Sequence, residues 1–435
     1  FLLYYLGVVV MFLLSPLILS PMLRICRTYQ LGSLADLLSF RFQSPWVGTA
    51  VTIMLLAAIM PLLALQIQAV TDSIHILYEG ANYPRVEADR HHSLALLFCA
   101  TITLFTMLFG SRSPSSLPRQ QGLVATIAFE SIIKLVGMMI LGSAAIFSVF
   151  DGFDGLQNWL ESSPEALALL NSPLRQDSAR ALLLIFFAST VTMPHIFHMI
   201  FAEKPGHGFL RTASWGLPLY LLLLALPILP ITWAGMALST GLPTAYSALA
   251  LGIAGQSTTL SMIGFMTGLS AASAVIIVST LALANMCLNH IVLPAQLRSS
   301  IRSADRSNIY EQLTWLRRLL AAGIILLGYL FYRVLEIRMS LLDVGLVAFV
   351  GTLQFLPAIF ATLFWPRANR HGLLAGLSAG FAIWFLALLL PLISGFQADF
   401  VDSWYLSWFA ETEGTWSATA ILSLASNISL FITVS

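Results

Sequence analysis

Charged side chains are scarce in this sequence: Asp, Glu, Lys and Arg make up 9% of its 435 residues, while 58% are hydrophobic. That balance excludes a water-soluble globular domain and leaves a polytopic membrane protein. The 21 Lys and Arg nearly cancel the 20 Asp and Glu, so there is neither a basic surface for nucleic acid nor an acidic tail. Cysteine is also sparse. Cys26, Cys99 and Cys287 lie far apart in apolar surroundings, without the paired spacing that a disulfide framework or a metal site needs, and read as packing residues. A Gly-rich phosphate loop, a Ser nucleophile elbow and a two-histidine zinc helix are all missing, and no linker divides the chain into domains. Phe1 stands inside an apolar segment with no Met or basic flank before it. This does not fit a cleavable signal peptide and reads as a fragment that begins mid-protein.

What the sequence has in quantity is long apolar runs. Roughly 20 residues of helix cross about 30 Å of hydrocarbon. Runs near that length occur at about 2–23, 46–70, 94–110, 122–149, 180–201, 213–237, 258–292, 314–334, 341–365, 372–394 and 415–435. The expectation is an all-α bundle of about eleven spans. Loop charges alternate: Arg24, Arg27, Arg298, Arg302, Arg367 and Arg370 share one side, and most acids, Asp151, Asp154, Glu161 and Asp402 among them, share the other. The positive-inside rule makes the Arg side cytoplasmic, with Phe1 outside and Ser435 inside. Segment 31–45, LGSLADLLSFRFQSP, is amphipathic, with Ser33 as N-cap and Asp36 at N3. It predicts an interfacial cytoplasmic helix. In the loop 150–178, LQNWL and EALALLN predict short surface helices.

Four constellations interrupt the apolar runs. In TVTMPHIFHM, Pro194 follows Ser189, Thr190 and Thr192, while His195 and His198 lie three apart on one helical face. A proline inside a span removes a backbone bond that neighbours must replace, so a broken helix is predicted. Two readings of its histidines stand together: bonds to a neighbouring helix, or a site built from costly intramembrane ionisable groups. Glu130 and Lys134 in AFESIIKLVG are four apart with the acid first, the better order for a helical pair. Lys134 sits about 18 Å along a helix from Gly122, and a structural ion pair is the simpler reading than a proton relay. The run from Gly268 to Asn289 combines small residues that allow close packing with hydroxyls at Ser270, Ser273, Ser279 and Thr280, part of the oxygen shell a hard cation wants. Gln354, three residues before Pro357, brings a donor and an acceptor to another loosened span.

Several of these segments resemble the sodium:solute symporter family: SLADLLSFRFQSP followed by PLLALQIQAV, then IVSTLALAN, then QFLPAIFATLFWPRANRHGLLAGL. The last, with its Q-F-L-P and W-x-R-x-x-R-x-G runs, is the most specific. GLVATIAFESIIKLVG and MPHIFHMIFAE look most like the transporter-like membrane module of bacterial sensor histidine kinases. The resemblance spans the chain and implies one transmembrane domain over 1–435 with a LeuT-like inverted-repeat helical bundle. Core helices 2 to 10 would lie at about 1–365 and two peripheral helices at about 372–435, with the first broken core helix upstream of Phe1.

It further implies a secondary transporter in a bacterial inner (plasma) membrane. The solute would be small and polar, an amino acid such as histidine, and Na+ or H+ would be the coupling ion. Ser279 and Thr280 would hold Na+ with the carbonyl of Ile276. Thr192, Met193, His195, Phe197, His198 and Gln354 would surround the solute. LALAN departs from the more polar residues often seen there, and His195 stands where the kinase-linked group has Arg. No organic cofactor, transition metal or catalytic residue is implied. Partners would be the solute and the lipid bilayer, plus, if the kinase likeness extends past Ser435, a cytoplasmic kinase region and a response regulator. A stand-alone permease and a non-transporting sensor bundle remain as alternatives.

Overall fold

The computed structural model describes residues 2–79, 88–109, 121–164, 166, 176–202, 208–238, 241–295, 309–335, 341–394 and 415–435. Among them there is no strand. The first apolar run forms two helices, α1 (Leu2–Leu13) and α2 (Leu19–Thr28), parted at Ser15 and Pro16, where a proline cannot continue the ladder. Next come α3 (Leu34–Arg41), α4 (Pro45–Glu79), α5 (Ala88–Phe109), α6 (Gln121–Ala144) and α7 (Phe153–Ser162). The second half opens with α8 (Gln176–Thr192) and α9 (Pro194–Phe197), then α10 (Phe209–Ala225), α11 (Ile228–Ala237), α12 (Ser247–Ala254) and α13 (Thr258–Cys287). The chain ends with α14 (Ile309–Val334), α15 (Leu341–Leu353), α16 (Leu356–Phe364), α17 (Arg370–Trp384), α18 (Leu390–Ser394) and α19 (Thr415–Val434).

Eight helices among the described residues are long and apolar enough to cross a membrane, and the bent pair α8–α9 makes a ninth. The shortfall from eleven lies in the first and third runs. There the apolar helices, Leu2–Leu13 and His92–Leu108, are shorter than a full span.

At the centre, α4 and α13 pack antiparallel, and α6, α14 and α15 pack against one or both. Small residues set these distances: at Gly351 of α15, a Cβ would come within 2.9 Å of Ala58 on α4 and of the Trp384 ring. That ring is fully buried and donates from Nε1 to the Val347 carbonyl at 2.8 Å.

The interfacial helix forms as expected. The Ser33 hydroxyl accepts from the Asp36 N–H at 3.1 Å, the N-cap bond expected there, and the Asp36 carboxylate accepts from the Gly32 N–H just before the cap at 3.2 Å. Arg41 ends α3 by donating from Nη2 to the carbonyls of Trp365 and Pro366 at 3.0 and 3.1 Å, which ties α3 to the end of α16. LQNWL lies on α7, whereas EALALLN falls almost entirely outside the described residues.

Candidate functional site

The site begins at the break between α8 and α9. Met193 adopts φ −67°, ψ 126°, an extended conformation, and Pro194 starts α9 at its first position, where a missing N–H costs nothing. The two segments meet at 47°, so the predicted broken helix is present.

The hydroxyls before the break turn back on their own helix. Ser189 donates to Phe186 O at 2.8 Å, Thr190 to Phe186 O at 3.3 Å and Thr192 to Ala188 O at 3.0 Å. They keep acceptor lone pairs but use their hydrogens locally. Beyond Pro194, the backbone resumes with Phe197 N–H donating to Met193 O at 2.8 Å.

This geometry carries His195 across to α13, where its Nδ1 lies 3.1 Å from Ser279 Oγ. Ser279 and Thr280 are fully buried, and Thr192, Met193, Phe197, His198 and Ile276 are buried as well. Thr280 Oγ1 has no hydrogen-bond partner among the described residues. A buried hydroxyl left unmet costs about 1–3 kcal/mol, so a native structure calls for something to satisfy it. The Thr280 hydroxyl and the Ser279 hydroxyl next to it in sequence are neutral oxygens, the donor type that a hard cation takes. No cluster of three or more His, Cys, Asp or Glu occurs among the described residues.

Gln354 is held elsewhere. Its Nε2 donates to Ser423 Oγ at 2.8 Å, and Asn427 Nδ2 reaches its backbone carbonyl at 2.8 Å and its Oε1 at 3.3 Å. With both ends of the carboxamide engaged by α19, the residue joins two helices, and none of these bonds brings it to the break.

Glu130 and Lys134, one turn apart on α6, act on each other through their charges, and each also has surroundings of its own. The Glu130 carboxylate accepts from Ser273 at 3.2 Å and its backbone carbonyl from Ser270 at 3.1 Å. It lines one cavity while Lys134 lines another.

Two polar pairs gave no signal in the sequence. On the α3 face, Asp36 Oδ1 meets His290 Nε2 at 2.8 Å. Burial pushes the Asp36 carboxyl up, but the hydrogen bond and charge of His290, with Ser33 and the Gly32 N–H, outweigh it and hold the group below its ordinary value. At the far end of α4, Tyr246 donates to Asp72 at 2.6 Å. The run TDSIH marks that end, but only the fold brings Tyr246 to it.

No family model matches the chain. It is 22% identical over 400 residues to the uncharacterized symporter YodF of Bacillus subtilis (strain 168), an alignment covering 88% of this chain and 72% of that protein. A Na+-coupled sialic acid symporter, solved in a substrate-bound outward-open state, matches 99% of this chain and 82% of its own at TM-score 0.61 and 13% identity. Neither is described as a sensor kinase, so the kinase-linked resemblance finds no support in them. What the likeness does establish is the fold: an all-α, multi-pass membrane bundle with the LeuT-like architecture.

Proposed function

We propose that this chain is the membrane domain of a symporter that moves a small polar solute of the amino-acid class on a gradient of Na+ or H+. The observation that carries the reading is the break at Met193–Pro194, which sets His195 against Ser279 beside the unmet hydroxyl of Thr280. Ser279, Thr280 and the Ile276 carbonyl hold the cation, and Thr192, Met193, His195, Phe197 and His198 surround the solute. The His195–Ser279 bond gives the two ligands one shared element. Occupancy on either side of that bond then favours the same closed arrangement, which is the coupling that alternating access requires. The symporters similar to this chain support the class of activity. The Arg-rich loops support a bacterial plasma membrane orientation with the α3 face in the cytoplasm.

The test is uptake of labelled amino acids, histidine among them, into proteoliposomes under imposed Na+ or H+ gradients. The expected outcome is gradient-dependent accumulation, with Ser279→Ala lowering the apparent ion affinity about 10- to 100-fold, the worth of one hydrogen bond to a charge. No gradient-dependent accumulation of any amino acid would sink the reading.

A further inference from the structure

Lys134 carries its charge into a cavity of about 300 Å³ that lies apart from the break. Among the described residues it is the only ionised side chain on that lining, which α4, α6, α11, α12 and α13 share with neighbouring segments. Gly137 lets α6 and α13 approach closely here, since a Cβ at that position would overlap Thr267 Oγ1. Thr267 and Ser279 are twelve residues apart on α13, so the cavity and the break are about 18 Å apart along the helix axis.

The polar groups of the lining have a definite polarity. Ser73 donates to Ala69 O at 2.6 Å, Thr267 to Ile263 O at 2.7 Å, and Tyr246 to Asp72 Oδ2 at 2.6 Å. Each hydroxyl has therefore used its hydrogen and presents only lone pairs. Among the described residues donor capacity comes from the Lys134 ammonium alone; Glu130, one turn away, accepts from Ser273 on another cavity and acts on that ammonium through its charge. The lining thus offers a positive donor facing a set of neutral acceptors, with the Asp72 carboxylate directly behind Tyr246. A ligand that matches it carries a carboxylate for Lys134 and an ammonium for the hydroxyl oxygens. The volume, at the lower end of ligand cavities, limits it to a small body.

We infer that this cavity is a second binding station, and that it takes a small zwitterionic amino acid with its carboxylate on Lys134 and its ammonium toward Ser73 and Thr267. Its part in uptake rests on the symporter reading; the recognition chemistry does not. The test uses the whole chain in lipid nanodiscs, titrated calorimetrically with L-alanine and L-histidine and with their decarboxylated counterparts ethylamine and histamine.

The wild type is expected to bind the amino acids and not the amines at this station. Lys134→Gln is expected to weaken that binding about 10- to 100-fold, the worth of a charge-assisted bond, while Lys134→Arg retains it. Gly268→Leu gives a second variant: its Cβ enters open space on the lining, so it fills the cavity without disturbing α13 and is expected to remove one bound amino acid per chain. Amino-acid binding unchanged in number and affinity in both Lys134→Gln and Gly268→Leu overturns the proposal, as does equal binding of amine and amino acid. Uptake measured in parallel separates the two readings. Unchanged binding with gradient-driven uptake removes the second station and leaves the symporter, whereas Lys134-dependent binding without uptake does the reverse.

Discussion

Removing the contact between Asp36 and His290 is expected to loosen the α3 face by a calculable amount. The two atoms lie 2.8 Å apart, and the side chains are 18% and 12% exposed, respectively. A hydrogen bond to a charged group is worth about 1.5–3 kcal/mol net. Partial exposure at the membrane boundary brings the expectation to the lower half of that range, about 1.5–2 kcal/mol. The single variants lose more than this bond. Asp36→Ala also frees the Gly32 N–H, and His290→Ala empties the space where the ring packs against Gly48. The shared term is therefore read as the coupling energy of a double-mutant cycle, from denaturant unfolding in micelles at neutral pH. A coupling within about 0.5 kcal/mol of zero, the level at which independent sites add, would refute it. The same pair sets a pH dependence. The Asp36 carboxyl lies below its ordinary 3.8 in the folded chain, so its stabilisation is complete above that value and is lost as pH falls through the lowered one. The advantage of the wild type over Asp36→Asn should shrink below roughly pH 4. An advantage that holds or grows toward acid would contradict the assignment.

Two further outcomes distinguish structural from functional polarity. Gln354→Leu removes the side-chain bonds to Ser423 Oγ and from Asn427 Nδ2, while Asn427 keeps the backbone carbonyl of residue 354 and Ser423 keeps Ala420 O, and is expected to cost about 0.5–1.5 kcal/mol. Solute affinity per folded molecule should stay within about twofold, a range of only about 0.4 kcal/mol, and a selective loss of affinity would return Gln354 to the solute site. Thr280→Val removes a hydroxyl that has no hydrogen-bond partner among the described residues, so stability in Na+-free buffer should rise by about 1–3 kcal/mol, the cost of leaving that hydroxyl unmet. The rise in melting temperature that Na+ gives the wild type should vanish in the variant. A variant still stabilised by Na+ would place the ion elsewhere.

Much of the fold was legible because hydrocarbon imposes a single rule, that backbone groups are satisfied within a helix, and so apolar length translates directly into spans. The limits of that rule show at α4. The sequence run ends at Val70, yet the helix continues to Glu79. Asp72 can enter it because Tyr246, 174 residues away, supplies a donor, and a partner at that separation leaves no local trace. The same holds for Asp36 and His290, 254 residues apart. By contrast, α3 was readable to its cap because Ser33 and Asp36 solve a local problem three residues apart.

The site was legible in part, and the part that failed explains what the signal means. His195 and Gln354 offer the same pattern, a polar side chain beside a proline in an apolar run. Their fates differ because of what faces them. Gln354 meets an asparagine and a serine on α19, which engage both ends of its carboxamide. His195 meets the Ser279 hydroxyl on α13, and the next hydroxyl along, on Thr280, has no hydrogen-bond partner among the described residues. A proline therefore marks where a span is free to open. Whether the opening serves a ligand is decided by the donors and acceptors that the opposing helix leaves over, and at Pro194 it leaves an oxygen.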